Sequence, residues 1–132
     1  MSKVLRLIEA DNSDEYLLQI EWIKSLLGEW FNPDNYKNMD SKQIYKILEN
    51  YKQKFNKSNK EIYVIYVILY SKDTNSGYSG YIVDSDEIAK NIRHATLFSS
   101  KKDAKEYFSD YTIPKDFNNY ELLKYSINKL HF

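Results

Sequence analysis

The chain predicts an α+β fold: two N-terminal helices, then a small antiparallel sheet of three or four strands with one helix packed on it. Three observations carry that expectation. Apolar side chains recur at steps of three and four as far as Phe55, the spacing of an amphipathic helix. From Glu61 the period changes, and Ile62 to Tyr70 (IYVIYVILY) is an unbroken run of β-branched and aromatic residues, apolar at both parities as a central strand covered on both faces is. A turn-forming stretch, Asp73-Thr74-Asn75-Ser76-Gly77, then separates that run from a second strand-like segment, Tyr78 to Val83, as in an antiparallel hairpin.

Taken in order, the first nine residues read as a short strand or a lead-in. Asn12, Ser13 and Asp14 supply caps for a first helix whose stripe is Tyr16, Ile20, Ile23, Leu27 and Trp30, and Asn32-Pro33-Asp34-Asn35 stops it. A second helix opens at Asp40-Ser41, where Asp40 and Gln43 have capping-box spacing, and buries Ile44, Ile47, Leu48, Tyr51 and Phe55. The polar stretch Asn56 to Lys60 is the one internal boundary, so a single domain 1–132 divides into a helical part, 1–56, and a sheet-and-helix part, 61–132. After the hairpin, residues 87–95 form a short helix or an irregular link, and Thr96-Leu97-Phe98 is a short strand. Ser100 and Asp103 open a helix that buries Ala104, Tyr107 and Phe108 and ends near Tyr111. Residues 118–130 fit either period; strand is the choice, because an isolated hairpin is marginal and the long central run gains from another partner.

Composition narrows the function. Thirteen tyrosines accompany no cysteine, two histidines and three glycines, a set rich in contact surface and poor in reactive groups. It offers no thiol nucleophile, metal cage or glycine-lined phosphate cradle, so no enzyme activity, cofactor or metal is expected. Without cysteine, an apolar run near the roughly 20 residues of a membrane span, or a secretion signal, the expected location is the bacterial cytoplasm, away from membranes. Formal charge is zero but uneven. Residues 37–60 carry seven basic and two acidic side chains, whereas 1–36 carry three and seven. All seven are lysines, and the whole chain has only Arg6 and Arg93, which argues against base-specific reading.

Three smaller constellations have ordinary explanations. Asp84, Asp86 and Glu87 lack the further ligands and glycine of a calcium loop and read as a solvated turn. His94 and His131 sit in no ligand or triad spacing, and Ser99-Ser100 lacks the glycines of a nucleophile elbow.

The stretch from Tyr63 through Ile127 carries a hairpin, then Ala95-Thr96-Leu97-Phe98-Ser99-Ser100-Lys101-Lys102-Asp103-Ala104-Lys105-Glu106-Tyr107, then Tyr120-Glu121-Leu122-Leu123-Lys124-Tyr125. This second half resembles small accessory proteins of Gram-positive phages and mobile elements, in which such a segment starts a helix packed on a small sheet. Together with a composition typical of AT-rich genomes, the resemblance implies a phage-encoded inhibitor of a host defence system, anti-CRISPR-like. Its residues are caps and core, so it implies no catalytic site.

The functional expectation is non-enzymatic protein binding, the partner being a host protein or protein–nucleic acid complex. The contact residues are Asn75, Ser76, Tyr78, Ser79 and Tyr81 at the hairpin tip, where tyrosine, serine, glycine and asparagine mix as they do in adaptable binding loops. Lys42, Lys46, Lys52 and Lys54 add electrostatic attraction. The alternative is a small nucleic-acid-binding regulator, for which those lysines beside Tyr36, Tyr45 and Tyr51 supply charge and stacking platforms.

Overall fold

The computed structural model describes the backbone of residues 2–84 and 87–132 and the side chains from Asn12 onward, so Asp86 of the carboxylate trio lies outside the described residues. The chain forms two compact units. One comprises Met1–Lys60 with His131–Phe132, the other Glu61–Leu130. The expected α+β order holds: two helices, then a four-stranded antiparallel sheet with a helix against it.

The helical unit differs from expectation at both ends of its first helix. Helix α1 spans Ser2–Leu26, so residues 2–9 are neither strand nor lead-in, Met1 lies outside the described residues, and Asn12, Ser13 and Asp14 are interior residues rather than caps. No glycine or proline interrupts the chain between Ser2 and Leu27, and a mid-helix serine is tolerated when its hydroxyl finds a partner. Ser13 does, sharing a 2.6 Å hydrogen bond with Ser41. The helix ends before Pro33 because Gly28 takes the left-handed conformation (φ 75°). Its N–H donates to the Ser25 carbonyl at 3.1 Å and the Glu29 N–H to the Lys24 carbonyl at 2.8 Å, the paired bonds of a glycine C-cap. Trp30 therefore falls outside the buried stripe and is 80% exposed. Pro33–Tyr36 is a 3₁₀ turn, where the Tyr36 ring is buried and stacks on Phe31.

Helix α2, Ser41–Lys57, starts with the expected capping box: Asp40 accepts from the Gln43 N–H and Gln43 from the Asp40 N–H, both at 2.9 Å. It buries Ile44, Leu48 and Phe55, and α1 contributes Ile20, Ile23 and Leu26 to the same helix pair. Burial of each such side chain is worth about 1.5–3 kcal/mol, and it is this packing of apolar faces rather than intrinsic propensity that mainly stabilises such helices. The C-terminal Phe132 belongs to this unit, its backbone clamped by both atoms of the Asn56 amide and its ring edge-on to Trp22 and Phe55.

In the sheet unit the strand order is β3-β2-β1-β4, every pair antiparallel. Strand β1, Tyr63–Ser71, is the apolar run and lies centrally, as its two apolar parities require. Strand β2, Ser76–Val83, returns after a loop of Lys72 to Asn75. Residues 87–95 are neither helix nor plain link: Glu87–Ala89 is a third strand, β3, followed by a 3₁₀ turn at Ile92–His94. The short strand expected at Thr96–Phe98 reduces to one bridge, Phe98 to Tyr63, plus a bond from the Thr96 N–H to the Ile82 carbonyl. Helix α3, Lys101–Ser109, is capped by Ser100, whose hydroxyl accepts from the Asp103 N–H at 3.0 Å. It ends two residues short of Tyr111. Strand β4, Glu121–Lys129, settles the C-terminal choice in favour of strand. One face of the sheet forms the core with α3: Ile65, Val67, Ile82 and Ala104 are fully buried, with Phe98, Tyr107, Phe108, Tyr111 and Ile127 packed against them.

Candidate functional site

Register decides which side chains of the hairpin share a surface. Tyr66 lies opposite Tyr81, Ile68 opposite Ser79 and Tyr70 opposite Gly77, and directly opposed residues in an antiparallel pair point to the same face. That face is the one turned away from Ile65 and Val67, and β4 adds Lys124 and Ser126 to it. Its tyrosines are half-buried and tied to the hairpin. The Tyr66 hydroxyl bonds to Ser79 Oγ at 2.9 Å, its ring is edge-on to Tyr81 at 5.1 Å, and the Tyr70 hydroxyl bonds to Asn75 Oδ1. Asn75 holds a left-handed φ of 48° to close the loop, a conformation asparagine tolerates better than most residues.

Tyr78 lies on the other face, opposite Leu69. Its ring packs on Phe117 at 4.7 Å, and the Lys90 ammonium stands 3.9 Å from its centroid while donating to the Ser79 carbonyl at 2.5 Å. Phe117 continues edge-on to Tyr120, whose hydroxyl is 3.5 Å from Ser76 Oγ.

The five residues expected from sequence thus share one hairpin but not one face. Ser79 and Tyr81 are with Tyr66 and Tyr70, Tyr78 is with Phe117 and Lys90, and Asn75 and Ser76 mark the tip between them. Both expected tyrosines are half-buried rather than projecting. Sequence reading missed Tyr66 and Tyr70, assigned to the interior with their strand, and Lys90. The signal for the first two was available: with the hairpin register in hand, their parity matches that of Tyr81.

The four lysines of α2 also divide. Lys52 pairs with Glu49 at 3.2 Å and Lys54 with Glu29 at 2.6 Å, the second bond raising the Lys54 pKa above its ordinary value. Lys54 and Lys24 also stand over the Tyr51 ring, which keeps that ring from serving as an open platform. Lys42 and Lys46 are exposed and, with Tyr16, Ser41 and Tyr45, line an open groove of about 490 Å³ within the helical unit.

The remaining candidates have structural roles. Ser99 donates to Asp103, Ser100 caps α3, and Asp84 takes a left-handed turn with its N–H bonded to Thr96. His94 and His131 are exposed and lie in different units. Among the described residues there is no cluster of three or more His, Asp or Glu placed to hold a metal ion, and no helix long and apolar enough to cross a membrane. No protein family, curated protein or solved structure matches the chain.

Proposed function

We propose that the chain is a non-enzymatic protein-binding module that engages its partner through the tyrosine face of the β1–β2 hairpin. The observation carrying this reading is that the Tyr66 and Tyr70 hydroxyls are bonded to the hairpin's own Ser79 and Asn75. Aromatic rings fixed on paired strands lose little freedom on binding, and tyrosines surrounded by serine and asparagine are the usual composition of a protein contact surface. In its finer form the module is a phage-encoded inhibitor that occupies a surface of a host defence protein. That step rests on the resemblance of the second half and on composition.

The nucleic-acid alternative draws support only from Lys42 and Lys46 beside Tyr16 and Tyr45, since Lys52 and Lys54 already have carboxylate partners. One capture experiment separates the two. Immobilised full-length chain is exposed to bacterial host lysate, the retained component is purified, and its affinity is measured for the parent and for a Tyr70→Ala, Tyr81→Ala variant. Loss of hot-spot tyrosines typically costs about 2 kcal/mol or more, so the variant should bind about 30-fold more weakly or worse while keeping a parental far-UV spectrum. Equal affinity of parent and variant, or failure to retain any protein, overturns the reading. Retention of nucleic acid that disappears with salt, and with Lys42→Glu, Lys46→Glu, supports the alternative.

A further inference from the structure

We propose that the outer edge of β4 pairs with the same edge of a second copy of this chain, joining two four-stranded sheets across a two-fold axis at Ile127. β4 is the last strand in the order β3-β2-β1-β4, so among the described residues no strand pairs with its outer side. The opposite edge, β3, is only three residues long, whereas β4 has nine, free of proline. A long unpaired edge is a template for another strand. Leu122, Leu123 and Tyr125 along it are 38%, 69% and 44% exposed.

The hydrogen bonds fix which backbone groups face outward. The Leu130 N–H donates to the Ile62 carbonyl at 2.7 Å, so Leu130 faces inward, toward β1. Tyr63, opposite Lys129, instead exchanges both its bonds with Phe98, at 2.8 and 2.9 Å. Because inward and outward groups alternate along an antiparallel strand, Lys129, Ile127 and Tyr125 present their N–H and C=O to the open side. The alternation breaks further back, where a bulge sets Leu122 and Leu123 against Leu69, leaving Glu121 paired with Tyr70.

One self-complementary register uses that pattern best. A two-fold axis normal to the sheet falls either at an outward-facing residue, Tyr125, Ile127 or Lys129, or at an inward-facing one between them. An axis at Ser126 or Asn128 brings only two outward pairs into register, Tyr125 with Ile127 or Ile127 with Lys129, and makes about four backbone hydrogen bonds. An axis at Tyr125 sets Lys129 against Glu121, across the bulge, where the outward pattern is lost. An axis at Lys129 puts two ammonium groups face to face. An axis at Ile127 sets Tyr125 opposite the second copy's Lys129, Ile127 opposite itself and Lys124 opposite Leu130. It makes about six backbone hydrogen bonds and places no like charges together. It also seats each Lys129 ammonium beside a Tyr125 ring, already held by stacking on Phe108 at 4.0 Å.

The test is sedimentation of the full chain over a concentration series, with the expected species at twice the 15.8 kDa chain mass. Lys129→Pro removes an outward N–H without touching the β1 ladder and should raise the dimer dissociation constant at least about tenfold while leaving the thermal melt of dilute protein unchanged. The absence of native cysteine allows a second readout. Ile127→Cys should oxidise to a disulfide-linked dimer, whereas Lys129→Cys should not, because its two sulfurs would stand about 13 Å apart along the antiparallel pair. A parent that stays monomeric throughout, a Lys129→Pro variant that dimerises as well as the parent, or cross-linking at 129 in preference to 127 overturns the proposal.

Discussion

Gly80→Ala should loosen the third strand and with it one side of the candidate site. Gly80 lies in β2, opposite Val67, and is buried. A Cβ built there would meet the Ala89 carbonyl oxygen at 2.6 Å and Ile88 Cγ2 at 2.7 Å, both closer than atoms of folded proteins come. The Ile88 methyl can turn aside, but the carbonyl belongs to the backbone of β3, so the strand itself must move. Overpacking of this kind costs about 1–3 kcal/mol. β3 is the cheapest element to give way, since among the described residues it is held through three opposed pairs, Tyr81–Ala89, Ile82–Ile88 and Val83–Glu87. The residue that follows it is Lys90, whose ammonium covers the Tyr78 ring, so the strand cannot shift without disturbing that contact. Urea denaturation should show a loss of about 1–3 kcal/mol, and amide exchange should show lost protection at β3 with protection kept in β1. A variant within about 0.5 kcal/mol of the parent, with β3 still protected, would refute the close approach of the two strands.

Two further substitutions test parts of the fold that carry defined energies. Asp40→Ala removes one half of the capping box and leaves the Gln43 N–H without its acceptor, so stability should fall by about 1 kcal/mol, read as a lower urea midpoint with an unchanged slope. Tyr111→Phe removes a buried hydroxyl that lacks a hydrogen-bond partner among the described residues, and should leave neutral-pH stability equal or slightly higher. Burial, with a smaller contribution from Tyr107, raises the Tyr111 pKa above 10.0, and so the folded state holds its proton more tightly than the unfolded chain does. Stability is then fully present below about 10 and is lost as pH rises toward the raised folded value, and the Phe variant should lose less over that alkaline interval. Identical alkaline profiles would remove Tyr111 from the titration.

What could be read from the chain depended on whether the deciding interaction was local. The α2 capping box, the Ser100 cap and the apolar run of β1 are each specified by residues within a few positions, and all three stand where the sequence put them. The end of α1 was equally local, because Gly28 is the only glycine before the sheet, yet Pro33 is the louder stop signal and drew the boundary too far along. The start of α1 was not local. Asn12, Ser13 and Asp14 favour a cap on propensity alone, and Ser13 remains helical with its partner hydroxyl on Ser41, 28 residues away. β3 was illegible for a similar reason: three residues carry no period, and only pairing with β2 makes them a strand.

The hairpin site sits between these cases. Its turn chemistry is local, and Asn75 and Ser76 could be placed at a tip from sequence. The grouping of its tyrosines is not, because moving the register by one residue exchanges the faces and would put Tyr66 with Tyr78 in place of Tyr81. The structure fixes the register by burial on the α3 side, where Ile65, Val67 and Ile82 must all point inward. Core packing thereby decides which rings share the opposite face. Tyr66, Tyr70 and Tyr81 are assembled on it by the demand for an apolar inner face, while their hydroxyls, turned to Ser79 and Asn75, make the arrangement specific. Each of these hydroxyl bonds is then worth little to stability, about 1 kcal/mol, and its main effect is to hold the rings in place.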